Sequence, residues 1–168
     1  SKHMMDNLHS ADTDLQREGA FQAAEALAEE AVPMLVALLH SPNLGVQEAA
    51  DHALRKIGGR KAVEGVLPLL RDDDPPVRNL GMDLLRALGN QHLELLLPCL
   101  KDEDPDIRIF MADILGATDD VAAVQPLCCA LLHDPEVNVR YQAAVSLGEL
   151  ARQEAAKSLN QALDDDEW

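Results

Sequence analysis

Aromatic side chains are nearly missing from this chain: two Phe, one Tyr and one Trp in 168 residues, although 47% of the residues are apolar. A β-sandwich leans on aromatic and β-branched residues, so a core of Ala, Leu and Val points to close-packed helices. Basic charge is scarce as well. Fourteen Lys and Arg face 30 Asp and Glu, a net charge of −16. Phosphate binding needs a basic stripe and unpaired bases need aromatic platforms, so a nucleic-acid partner is excluded. No apolar run reaches the ~20 residues of a membrane span, so no membrane insertion is expected. Three cysteines, with Cys128 and Cys129 adjacent, make no disulfide framework and point to a reducing, cytoplasmic compartment.

What the chain does have is an internal period. The phrase Leu-basic-Asp, a turn, then Val-Arg recurs as Leu70-Arg71-Asp72 to Val77-Arg78, Leu100-Lys101-Asp102 to Ile107-Arg108, and Leu132-His133-Asp134 to Val139-Arg140. Variants run from Leu39-His40-Ser41 to Val46-Gln47 and from Leu8-His9-Ser10 to Leu15-Gln16, and a last phrase starts at Leu163. These anchors predict a repeat of about 31 residues. Within each period a first helix (A) carries apolar or small residues at helical spacing, as in Val77, Gly81, Leu84, Leu85 and Leu88. Glycines such as Gly58 and Gly89 are expected to stop it. A shorter helix (B) follows, and Asp-Pro pairs such as Asp74-Pro75, Asp104-Pro105 and Asp134-Pro135 set the next turn. One such hairpin cannot bury its apolar face alone, whereas stacked hairpins can.

The expected fold is therefore all-α, an α-solenoid of about five helical hairpins, some ten helices in antiparallel pairs. The units fall at about 11–40, 41–71, 72–101, 102–133 and 134–164 of a single repeat domain spanning 6–164. Ser1-Lys2-His3-Met4-Met5 reads as a vector remnant (1–5) and is set aside from the fold. Residues 165–168 read as the start of a further repeat, or as a tail in which Trp168 caps the last hairpin.

The period, the Asp followed six residues later by Arg, and an Ala-rich helix A ending in Leu-Gly resemble HEAT repeats. The short 31-residue form is similar to the HEAT-like repeats of the phycobilin-lyase type, with Arg140-Tyr141-Gln142-Ala143-Ala144-Val145-Ser146-Leu147-Gly148 the nearest match. The resemblance covers residues 8–168. It implies the solenoid fold, and it implies that Asp72, Arg78, Asp102, Arg108, Asp134 and Arg140 form a structural ladder along the turns. The first two units depart from it, with Ser10/Gln16 and Ser41/Gln47 in place of Asp and Arg, and with Gln22 where a core residue is expected. Some HEAT-like proteins bind iron through His-Glu dipeptides, and this chain has none.

The search for catalytic chemistry yields no catalytic, cofactor-binding or metal-binding residue. The six histidines show no ligand spacing, and His9, His40 and His133 share one position at the end of helix B, where a cation complements the helix dipole. Acidic runs such as Asp72-Asp73-Asp74 lack the glycine and distal Glu of a calcium loop. Cys128 falls at a core position of helix B, and Cys129 on its outer stripe.

Two surfaces remain. One is the acidic turn ridge, which includes Asp73, Glu103 and Asp106 and would steer a basic partner. The other is the outer stripe of the B helices, the concave side in HEAT-type solenoids, with Leu67, Leu97 and Cys129 in an apolar row and Arg71, Lys101 and His133 in a basic row. The stripe suits an amphipathic or extended protein segment bearing acidic residues. The expected function is a non-enzymatic interaction scaffold, adaptor or assembly factor without a cofactor. The alternative implied by the resemblance is a bilin lyase or isomerase subunit acting on a chromophore-bearing partner.

Overall fold

The computed structural model describes residues Ser1–Asp164, and the expectations placed on 165–168 lie outside the described residues. Ten α-helices and no strand occur among them: α1 (Lys2–His9), α2 (Thr13–Ala26), α3 (Val32–Leu38), α4 (Leu44–Ile57), α5 (Gly59–Val66), α6 (Pro75–Leu88), α7 (Leu93–Leu96), α8 (Pro105–Gly116), α9 (Val124–His133) and α10 (Val137–Leu163). The architecture is an all-α solenoid of helical hairpins. The described residues group into two compact units, Ser1–His92 and a second from Leu93 on, with the boundary just past the 3-10 turn Gly89–Gln91.

In the first unit, α2, α4 and α6 pack in series as an A layer, and α1, α3 and α5 lie beside them as a B layer. In the second, α8 packs on α10, which also packs on α9. Fully buried alanines (Ala20, Ala23, Ala50, Ala53, Ala112, Ala143) line the A helices. Their small side chains let helix axes approach closely, so the chain fills its core without aromatics.

The turns before the A helices share one hydrogen-bonded design. The side chain that opens each turn accepts from the amide two residues on: Ser10 from Asp12, Ser41 from Asn43, Asp72 from Asp74, Asp102 from Asp104, and Asp134 from Glu136, at 2.9–3.1 Å. The side chain six residues later donates back to the carbonyl of that opening residue: Gln16 to Ser10, Gln47 to Ser41, Arg78 to Asp72, Arg108 to Asp102, and Arg140 to Asp134, each at 2.8 Å. Ser/Gln thus reproduces within one turn what Asp/Arg does, because a hydroxyl accepts and a carboxamide donates. Gln22, expected to be core, accepts from the buried Asn7 at 3.1 Å, so two polar groups satisfy one another.

Gly58 and Gly89 both stop their A helices as expected, Gly58 at φ +54° and Gly89 in right-handed conformation leading into a 3-10 turn. Three features differ from the sequence expectation. Residues 1–5, set aside from the fold, mostly belong to α1, where Met4 is only 2% exposed one turn before the buried Leu8. The supposed anchor Leu132 is 70% exposed, and Leu127 and Ala130 are the buried residues of α9. The spacing from Leu100 to Leu132 is one residue longer than the usual 31. The cause is local: the chain runs 3-10 through Leu67–Arg71 and Leu97–Lys101, where Pro68 and Pro98 remove an amide donor, while α9 stays α-helical to His133.

The fifth hairpin is the largest departure. α10 runs unbroken for 27 residues through Gly148. Two of the earlier helix A glycines have help from their neighbours: Gly58 is followed by Gly59 at φ +77°, and Gly116 precedes Asp119 at φ +52°. Gly148 is followed by Glu149-Leu150-Ala151-Arg152, all competent helix formers, and one glycine in a helix costs only about 1 kcal/mol.

Candidate functional site

The B layer of the second unit holds a groove of about 860 Å³. One wall is the 3-10 segment Leu97–Lys101, and the other is α9 with the turn after it. In a 3-10 helix residues i and i+3 eclipse, so Leu97 stands over Leu100 and Pro98 over Lys101. From α9, Pro126, Cys129, Ala130 and His133 line the opposite side, with Cys129 and His133 one helical turn apart. Four of the six residues expected on the protein-binding stripe, Leu97, Lys101, Cys129 and His133, therefore share one groove. Leu67, half-buried, and Arg71, exposed, lie in the first unit. Cys128 is half-buried and Cys129 exposed.

The charges of this groove follow from the turns. Arg108 donates through Nε and Nη2 to the two carboxylate oxygens of Asp134, at 2.9 and 3.3 Å. Asp134 is 6% and Arg108 12% exposed at the side chain. The pair links one hairpin to the next and neutralises the end of the groove. Lys101 and His133 also line it, and neither makes a hydrogen bond or ion pair among the described residues.

The first unit solves the same linkage differently. Gln47 stands where Arg108 stands and has no charge to offer the next turn. His40, the repeat equivalent of Lys101, reaches Asp72 instead, with Nε2 2.6 Å from Oδ2. The hydrogen bond to Asp72 raises the His40 pKa above its ordinary 6.5, and the same bond, helped by the Asp74 amide, lowers that of Asp72 below its ordinary 3.8. The histidine part of the clasp is at full strength below pH 6.5 and is lost as pH rises through the raised value. The aspartate part is present above pH 3.8 and is lost as pH falls through the lowered value. His40→Ala is therefore expected to destabilise the chain most between about pH 4 and 6.5 and progressively less at higher pH. Denaturant titrations of both chains across pH check this, and a gap that does not change with pH contradicts it.

The acidic ridge is partly spent on its own backbone, since Asp72, Asp102, Asp104 and Asp134 all accept turn amides. Asp73, Glu103 and Asp106 are exposed. A smaller hollow of about 240 Å³ opens where α10 fails to turn, with Val121, Val124, Leu147, Leu150 and Ala151 lining it and Asp119, Asp120 and Glu154 at its rim. No cluster of three or more His, Cys, Asp or Glu suited to a metal ion occurs among the described residues, and no described helix is long and apolar enough to cross a membrane.

The solved structures similar to this chain include engineered proteins. One is 22% identical, with 89% of this chain and 78% of that chain covered at TM-score 0.42; another is 20% identical, with 97% and 90% covered at TM-score 0.42. The complex of CpcE and CpcF of phycocyanin lyase from Nostoc sp. PCC7120 is 24% identical, with 93% of this chain and 66% of that chain covered at TM-score 0.48. No curated protein matches. The family model for HEAT repeats matches residues 1–86 and 93–168, the two segments that flank the 3-10 turn, and the chain belongs to the HEAT-repeat family.

Proposed function

We propose that this chain is a non-enzymatic protein-interaction module, an adaptor or assembly factor, whose second unit takes an amphipathic or extended partner segment into its B-layer groove. One observation carries the reading: an apolar groove whose charged lining, beside Glu94, Asp102 and the Arg108–Asp134 pair, includes two basic side chains, Lys101 and His133, without a partner among the described residues, in a protein of net charge −16. Burial against Leu97, Pro98 and Cys129 supplies affinity, at roughly 1.5–3 kcal/mol for each large partner side chain fully covered. Lys101 and His133 fix register by meeting carboxylates of the partner, while the acidic turns around them repel acidic segments that lack the apolar match.

Peptides selected by display against the chain test this. They are expected to combine apolar residues at helical or alternating spacing with flanking Asp or Glu. Leu97→Asp should abolish their binding, and Lys101→Glu should weaken it in a salt-dependent way. Selection of basic peptides that ignore Leu97→Asp but lose binding when Asp73, Glu103 and Asp106 are neutralised would place the interface on the turn ridge instead.

A further inference from the structure

The buried residues of α10, Val139, Ala143, Ser146 and Leu150, lie on one side of the helix. At 100° per residue the opposite side presents Val137, Tyr141, Ala144, Val145, Gly148, Ala151, Ala155, Leu159 and Leu163 as one stripe, with Arg152 among them. Every one of these residues is exposed, Tyr141 at 71% and Leu159 at 65%. A Cβ placed on Gly148 would meet nothing within 4 Å. Beyond Leu150 no residue of α10 is buried. An isolated stretch of this length is marginal as a helix in water unless its apolar face is covered.

We propose that a second copy of this chain covers it, the two α10 helices packing antiparallel about a two-fold axis at the level of residue 150. The stripe is self-complementary about that level. Val137 comes opposite Leu163 of the other copy, Tyr141 opposite Leu159, and Val145 opposite Ala155. The large residues sit at both ends, and the middle of the stripe is Gly148, Ala151 and Ala155, which lets the helix axes approach where they cross.

Charge selects the same partner and the same direction. α10 carries three cations (Arg140, Arg152, Lys157) and two anions (Glu149, Glu154), so a second copy packing along it meets little of the negative charge of this −16 chain. Arg152, toward one side of the stripe, holds Glu149 on the flank beside it at 2.6 Å within one copy. In the antiparallel pair that side meets itself, and Arg152 comes level with Gly148 of the other copy, one residue from its Glu149. A parallel pair would set Arg152 against the opposite flank, where Ala151 and Ser158 offer no charge. Antiparallel helix dipoles also attract. This dimer uses a face other than the proposed groove and does not depend on it.

Sedimentation equilibrium over a dilution series of the whole chain tests the proposal. A monomer–dimer equilibrium is expected. Tyr141→Glu with Leu159→Glu should weaken it at least about 100-fold while helicity persists, because both side chains are exposed. Ala151→Cys, close to the axis, should form a disulfide-linked dimer above the background of the native cysteines. Leu163→Cys, thirteen residues from the axis, should not. A chain that stays monomeric, a dimer unmoved by the double change, or equal cross-linking at both positions overturns it.

Discussion

Arg108→Ala is expected to lower the stability of the second unit by about 3 kcal/mol, the largest loss for any single turn residue. Four bonds disappear at once: the donations to the Asp102 and Glu103 carbonyls and the two donations to Asp134. The carboxylate left behind is only 6% exposed and keeps one amide donor, that of Glu136. An uncompensated, largely buried charge costs more than the bond that held it returned, which is why truncating one partner hurts more than replacing both. Arg108→Gln separates the two roles. The carboxamide can still cap its own turn, as Gln47 does toward Ser41, but cannot pair with Asp134. We expect Arg108→Gln to cost about 1 kcal/mol less than Arg108→Ala, the value of one such hydrogen bond. Arg108→Ala with Asp134→Asn should recover part of the loss, because a neutral side chain tolerates the site better. Urea titrations of the three variants decide the matter. Equal losses for Ala and Gln would mean that the turn carbonyl needs no side-chain donor.

The turns are the most legible part of this fold. Their hydrogen bonds come from side chains at a fixed offset of six residues, so the same chemistry is written five times in the sequence. The direction of those bonds is not legible. Within one turn Arg78, Arg108 and Arg140 seek the backbone carbonyl and not the carboxylate, a choice set by the shape of the turn. The His40 clasp is likewise invisible in one unit alone. It follows from comparing units, since Gln47 gives Asp72 no cation from the preceding turn and His40 reaches it instead. The groove was half legible. Helical spacing identifies Leu97, Lys101, Cys129 and His133, but the 3-10 path imposed by Pro98 and the extra residue of α9 decide that they face one hollow. The course of α10 was misread because Gly148 follows Leu147 as Gly116 follows Leu115, and a lone glycine looks the same in sequence whether or not its neighbours let the chain turn.

That pair of glycines yields the other large expected effect, one whose sign reverses between two repeat-equivalent positions. A Cβ on Gly116 would lie 2.6 Å from Oγ, 2.7 Å from Cβ and 3.0 Å from Cα of Ser146. The contact is tight because Ser146 bonds the backbone of the same helix, its hydroxyl donating to the Ala112 carbonyl at 2.6 Å. Part of the obstacle is backbone, so α8 and α10 must separate, and a helix pair packed at interior density resists that. Gly116→Val should therefore cost about 3 kcal/mol. Gly116→Ala should cost about 1 kcal/mol, since its clash is smaller and alanine returns roughly 1 kcal/mol of helix propensity. Gly148→Ala meets no atom and sits inside a continuous helix, so it should stabilise the chain by roughly 1 kcal/mol. Thermal unfolding of the three variants at high dilution reads all of this at once. If Gly148→Ala destabilised the chain as Gly116→Ala does, α10 would have to turn at Gly148, and the fifth repeat would be a hairpin like the others.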